Sequence, residues 1–165
     1  MTEVLETVNL TVIGKIRTTH NEISNMPIQS VGADMQNGTA ELYPKYAEGL
    51  LDVDGFSHVI LLYYFHRQNG YKLKVKPFMD TIEHGVFATR SPKRPASIGM
   101  SIVRVLKIED NKIYFEGADM LDETPLIDIK PFFRSFDNRP DAISGWLEGK
   151  DEKEIKKIRS DDRFK

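Results

Sequence analysis

Cysteine is absent from the 165 residues. That one absence excludes disulfides, thiolate zinc sites, iron–sulfur clusters and a cysteine nucleophile. A metal would have to rest on carboxylates and the 4 histidines. His58 and His66 would share a face of a regular strand, but with no carboxylate beside them they read as core or loop histidines, and no metal is expected. Long apolar runs are missing too. The longest, Val59-Ile60-Leu61-Leu62-Tyr63-Tyr64-Phe65, falls far short of the roughly 20 residues a spanning helix needs, so no membrane insertion is expected. Met1-Thr2-Glu3-Val4-Leu5-Glu6 is acidic where a signal peptide is basic and then apolar, which points to a cytoplasmic protein. A net charge of -2 rules out an all-over basic surface for nucleic acid but leaves room for a local basic patch. The chain also lacks G-x-G-x-x-G, Walker, G-x-S-x-G and H-E-x-x-H signatures.

What is present is enough for one folded domain. Hydrophobic residues make up 40% and charged residues 29%, a globular balance at a length that suits a single core. Residues 8–17 alternate apolar and polar types and read as a strand with one buried face. Residues 18–37 hold Asn, Ser, Gly and Pro without a period, a long loop of the kind that is often functional. Residues 41–50 read as a strand end followed by a helical turn, and the run from Val59 to Phe65 as a central strand covered on both faces. Residues 67–77 are a polar, basic connection, and Pro92 and Pro95 forbid a helix around them. Residues 101–108 and 112–117, joined by Glu109-Asp110-Asn111, form a hairpin. Residues 126–130 are a further short strand, ended by Pro131. Helical spacing appears only at Ile143, Trp146 and Leu147, ahead of a charged stretch. The expected fold is mainly β: a single compact β-barrel over residues 1–140 with a few short helices and no Rossmann fold, then a helical, charged tail over 141–165.

Three groups stand out chemically. Asp52 and Asp54 flank a turn and are explained by turn chemistry. Asp119 and Asp122 follow a strand end, where a loop presents side chains to a ligand, and Asp119 is the stronger site candidate. Arg90-Ser91-Pro92-Lys93-Arg94 sets three cations in a loop stiffened by two prolines, pre-organised for a carboxylate or phosphate; the bland reading is a solvated basic loop. Phe56, Tyr63, Tyr64 and Phe65 read as core aromatics rather than a base-stacking platform.

Four separated motifs then carry a resemblance. Ile13-Gly14-Lys15-Ile16-Arg17, Gly55-Phe56-Ser57-His58, the stretch Gly85-Val86-Phe87-Ala88-Thr89-Arg90-Ser91-Pro92-Lys93-Arg94-Pro95 with Ile98-Gly99-Met100-Ser101, and Leu121 through Phe132 stand in the order seen in the TsaA/TrmO-like family. The resemblance implies a β-barrel, usually a homodimer, that binds S-adenosylmethionine without a Rossmann fold. It also implies methyl transfer to the N6 of threonylcarbamoyladenosine beside the anticodon of tRNA. By the same resemblance the cofactor contacts fall at Pro27 and Gln29, at His66 and Arg67, at Arg90, at Met100, and at Gly117, Ala118 and Asp119. His66 is the candidate base, and Lys93 and Arg94 the candidate RNA contacts. The chain departs from the family pattern at Ile28, where a cation is lost, at Ala96-Ser97, and at Glu123, where a glycine is replaced. These departures bear on the acceptor. Two other readings stand beside tRNA: a methyltransferase for a small molecule or protein, and a non-catalytic S-adenosylmethionine-binding barrel.

Overall fold

The computed structural model describes residues 6–33 and 35–164. The acidic N-terminal stretch up to Leu5 lies outside them. The elements are β1 (Gly14–Arg17), β2 (Asn37–Leu42), β3 (His58–Tyr64), β4 (Lys74–Val75), β5 (His84–Gly85), β6 (Ile98–Glu109), β7 (Lys112–Glu116), β8 (Thr124–Pro131), α1 (Arg134–Asp137) and α2 (Glu152–Lys157), with short 3-10 turns between them. Six strands close into a barrel in the order β1-β2-β7-β6-β3-β8, every pair antiparallel. Closure removes the exposed edges that an open sheet of this size would have to protect. β4 and β5 form a separate two-stranded ribbon.

Alternation accounts for the core. Ile16, Ala40, Val59, Leu61, Val103, Ile113, Phe115 and Leu126 are essentially inaccessible and fill the lumen, as inward positions of a small barrel do. The register of β3 against β8 slips between Leu62, opposite Asp128, and Tyr63, opposite Leu126, which leaves Ile127 as an extra residue on β8. Tyr63 lies against Gly99, and a Cβ at Gly99 would overlap the tyrosine ring.

Pairing also fixes which loops meet. Tyr64 faces Ile98, Asn37 faces Glu116, Arg17 faces Thr39 and Ile16 faces Thr124. The ends of β1, β3 and β7 and the starts of β2, β6 and β8 therefore share one rim. The long 18–36 loop, the 86–97 loop and the 117–123 segment all open there.

Some expectations change. Only Gly14–Arg17 of residues 8–17 is strand; its ladder ends where β2 ends at Leu42, and its pairing with β8 ends at Leu126. β3 is not covered on both faces: Val59, Leu61 and Tyr63 point inward, while Ile60 and Leu62 are half-buried and Tyr64 is exposed. The 143–147 spacing makes only a 3-10 turn over Gly145–Leu147. Gly145, with φ of 59°, is in the left-handed region that breaks a right-handed helix. α2 follows, capped by the Asp151 carboxylate accepting from the Lys153 amide.

The tail does not trail into solvent. Ser160 pairs with the 18–36 loop, accepting from the Asn25 amide at 2.7 Å and donating its own amide to Met26 at 2.8 Å. Phe164 packs edge-on against Phe78, ring centroids 5.0 Å apart, over buried Val75 and Val86. Trp146 stacks on His84 at 4.5 Å and donates Nε1 to the Ala88 carbonyl at 2.7 Å. No helix among the described residues is long and apolar enough to cross a membrane.

Candidate functional site

At the shared rim lies a cleft of about 300 Å³, within the size range of small-molecule sites. Its walls come from four places. The 18–36 loop supplies Pro27 and Gln29; the segment beyond β3 supplies His66, Arg67 and Gln68; the 86–97 loop supplies Arg90; and β6 with the segment after β7 supplies Met100 and Asp119. The returning tail adds Trp146, Ser160 and Phe164. Seven of the nine residues named from sequence as cofactor contacts thus meet in one space, and Arg94, named as an RNA contact, lines it too.

The floor is a buried polar chain. The Ser101 hydroxyl donates to Asp119 Oδ1 at 2.6 Å, and Tyr63 Oη lies 2.9 Å from Ser101 Oγ. A serine hydroxyl has one proton to give, so with that proton on Asp119 the tyrosine is the donor to Ser101. Burial pushes the Asp119 carboxyl up to about 6, opposed by the hydrogen bond from Ser101 and by the charge of Arg90. Burial and the Asp119 charge together hold the Tyr63 phenol well above its ordinary value, so it stays protonated. Burial lowers His66, and the charges of Arg67 and Lys15 lower it further. His66 is therefore a neutral imidazole near pH 7, able to accept a proton.

The arginines divide by what they hold. Arg94 points its guanidinium back into its own loop, donating to the carbonyls of Val86, Thr89 and Ser91 at 3.4, 2.9 and 3.2 Å. It staples the loop from within. Arg67 donates to the Asn21 carbonyl at 2.7 Å. Arg90 has no hydrogen bond or ion pair with a described residue and acts on Asp119 and Tyr63 only through its field. Lys93 is outside the cleft, its Nζ 3.3 Å from the Asn69 carbonyl.

Gly117 and Ala118 sit beside the cleft rather than on its wall. Both amides donate to the Gln36 carbonyl, at 2.9 and 3.0 Å, and the Ala118 side chain belongs to the core. Gly117, with φ of 100°, makes the reversal that carries Asp119 under the cleft. Glu123, the family-pattern glycine replaced here, keeps a left-handed φ of 65°. Its carboxylate pairs with Lys15 and Arg17 on β1, partners that offset the strain of a side chain there. His58 and His66 lie in different places, His58 on the outer face of the barrel beside Phe132.

Sequence reading missed three participants. Tyr63 and Ser101 looked like ordinary strand residues, and only the alternation of β3 and β6 around the rim could have flagged them. Gln68 is the third: its Oε1 is buried in the cleft wall without a hydrogen-bond partner among the described residues. A buried acceptor of that kind is costly unless a ligand N–H meets it. The cleft thus offers a free guanidinium at Arg90, a carboxylate at Asp119, an orphan acceptor at Gln68 and an apolar wall from Met26, Phe65, Phe78 and Met100. That set suits a ligand with carboxylate, ammonium, adenine and thioether-like parts.

Comparison with known proteins leads the same way. A probable S-adenosyl-L-methionine-binding protein of Pyrococcus abyssi is 45% identical over 152 residues, covering 92% of this chain and 82% of that protein. A tRNA (adenine(37)-N6)-methyltransferase of Mus musculus is 41% identical over 92 residues, covering 54% of this chain and 21% of that enzyme. The crystal structure of TrmO from Pseudomonas aeruginosa superimposes with a TM-score of 0.73 at 36% identity, covering 88% of this chain and 63% of that one. Residues 15–138 match the model of the tRNA-methyltransferase O N-terminal domain, and the chain belongs to that family.

Proposed function

We propose that this protein is an S-adenosylmethionine-dependent methyltransferase acting on the N6 of threonylcarbamoyladenosine next to the anticodon in tRNA. The observation that carries the reading is the rim cleft itself. Arg90 and Asp119 set opposite charges across one apolar pocket, as the carboxylate and ammonium of the cofactor's methionine part require. Gln68 then accepts from a ligand N–H, and Pro27, Gln29, His66, Arg67 and Met100 complete the wall.

When bound, the cofactor supplies an electrophilic methyl on a sulfonium, so the protein has to align acceptor and donor and exclude water. The N6–H of an acylated adenine is neutral near pH 7. His66, held as the neutral imidazole, takes that proton as the nitrogen lone pair forms the new N–C bond. A bound cofactor would supply the methyl and keep the electron pair of the broken S–CH3 bond, while the His66 imidazolium would pass its proton to water. Lys93, exposed at its tip on the loop stapled by Arg94, meets a tRNA phosphate.

The working unit is a homodimer in the cytoplasm. Ile60, Leu62 and Tyr64 on β3 and Ile98, Met100 and Ile102 on β6 are outward neighbours in register, forming an apolar strip beside the cleft. Ile98, Met100 and Ile102 are 38%, 41% and 36% exposed. A second copy packed about a two-fold axis covers such a strip with itself.

The test is calorimetric titration with S-adenosylmethionine followed by mass spectrometry of nucleosides from tRNA carrying threonylcarbamoyladenosine. A mass gain of one methyl on that nucleoside is expected. Cofactor binding with no methylated nucleoside would overturn the tRNA reading and favour a binding barrel or another acceptor.

A further inference from the structure

A second cleft of about 440 Å³ adjoins the first. Gln29, Ser30 and Arg90 line both, so the two adjoin along those residues. The residues belonging to the second alone include His58, Arg104, Glu116 and Gly117. Strand pairing explains the grouping: on the barrel's outer face Arg104 of β6 stands between His58 of β3 and Glu116 of β7.

The charges there are unequal. Glu116 already accepts from the Met35 amide at 3.1 Å. His58 Nδ1 is engaged with the Ser57 hydroxyl at 2.8 Å. Arg104 has neither an ion pair nor a hydrogen bond with any described residue, although it sits cross-strand from Glu116. With Arg90 on the shared wall, two unpaired guanidiniums border one concavity next to the donor site. Guanidinium forks recognise carboxylates in two-bond geometry.

We propose that the second cleft is the acceptor subsite and that Arg104 binds the carboxylate of the amino-acid substituent on the acceptor adenine. This rests on the methyltransferase reading above. The two clefts share Gln29, Ser30 and Arg90, so an adenine nitrogen presented to the donor site carries its own substituent toward the second cleft; that substituent is bonded to the reacting nitrogen, whereas the backbone phosphates are several bonds farther away. Arg104 is a specificity residue: it selects an adenine already bearing an anionic amino-acid group, which a preceding acylation of that base must supply. Arg90 cannot discriminate in this way, since it serves both clefts.

Two anticodon stem-loop RNAs test the assignment, one carrying threonylcarbamoyladenosine and one in which the carboxyl of the same substituent is a carboxamide. Methyl transfer from labelled S-adenosylmethionine is measured at matched salt with the full chain. The native protein should prefer the carboxylate RNA by about 10- to 100-fold in kcat/KM, the range expected for one charge-assisted pair. Arg104→Ala should lose that preference by slowing only on the carboxylate RNA, with its dissociation constant for S-adenosylmethionine unchanged, which also shows that the variant is folded. Arg104→Lys, which keeps the charge but not the fork, should retain part of the preference. An Arg104→Ala enzyme with the native preference overturns the proposal. So does an equal loss on both RNAs with a shallower salt dependence, which would mark a phosphate contact. If the native protein binds cofactor yet methylates neither RNA, the methyltransferase reading falls and this inference with it, a result distinct from the other two.

Discussion

Ser101 on β6 reaches Asp119, beyond the end of β7, with a hydrogen bond of 2.6 Å, and this contact ties the barrel wall to the segment under the cleft. Through the same oxygen Ser101 receives Tyr63. Removing the hydroxyl leaves a buried phenol and a buried carboxyl each short of a partner. Ser101→Ala should destabilise the fold by about 1–3 kcal/mol, read as a lower urea midpoint at unchanged slope. A midpoint equal to the native one would mean that the chain contributes nothing to stability.

Asp119 should give ligand-free stability and cofactor affinity opposite dependences on pH. Its folded value of about 6 stands above the ordinary 3.8, so the fold binds this proton more tightly than the unfolded chain does. The associated stability is full below about pH 3.8 and is lost as the pH rises through about 6. A ligand ammonium needs the ionised carboxylate, so affinity for S-adenosylmethionine should rise about tenfold per unit up to that value and level off above it. Calorimetry between pH 5 and 8 on the native protein and on Asp119→Asn checks this; a native profile as flat as the variant's would remove Asp119 from the ammonium site.

Arg90→Ala should weaken S-adenosylmethionine binding by about 10- to 100-fold, the loss of one charge-assisted contact. Since the guanidinium holds nothing else among the described residues, thermal stability should be nearly unchanged. Unaltered affinity would exclude it from the carboxylate site.

Lys93 and Arg94 should separate on substitution although they are adjacent. Lys93→Ala should lower the slope of log tRNA affinity against log salt by about one, leaving cofactor binding intact. Arg94→Ala removes the donor to three loop carbonyls and should weaken cofactor binding by loosening the loop that carries Arg90. Equal salt slopes for native protein and Lys93→Ala would dismiss the phosphate contact.

Phe164→Ala should release the tail without melting the barrel. The phenyl ring anchors a small cluster of Val75, Val86 and Phe78, separate from the main core, so its loss is a local opening. Hydrogen exchange at the Asn25 and Ser160 amides, which pair the tail with the 18–36 loop, should accelerate while lumen amides keep their protection. Acceleration throughout the barrel would show that tail and barrel unfold together.

How far the sequence could be read follows from which signals are local. The β6–β7 hairpin shows in the alternation of residues 101–117, and the loop with Pro92 and Pro95 shows as one that cannot be helical. Arg90 and Asp119 stand out as charges next to strand ends, where any barrel exposes side chains. Residues 59–65 mislead because an apolar residue facing outward is indistinguishable, in one chain, from one facing a core. The Tyr63–Ser101–Asp119 chain joins three elements and leaves no period behind. Arg94 reads as a free cation in sequence; its three carbonyl partners become visible only when the loop closes on itself. The tail's return to the 18–36 loop, from Ser160 to Asn25, depends on contacts too distant in the chain for any pattern to announce.

Strand β6 borders both clefts, with Met100 on the wall of one and Arg104 on the wall of the other. Four residues of extended chain set these side chains about 13 Å apart. The strand thus acts as a ruler. Its hydrogen bonds to β3 and β7 hold the graduation, and neither loop remodelling nor a shift of the tail alters it. A relative with a different acceptor would have to change the mark read on the scale, by replacing the residue at position 104 or its cross-strand neighbours, rather than move the scale itself.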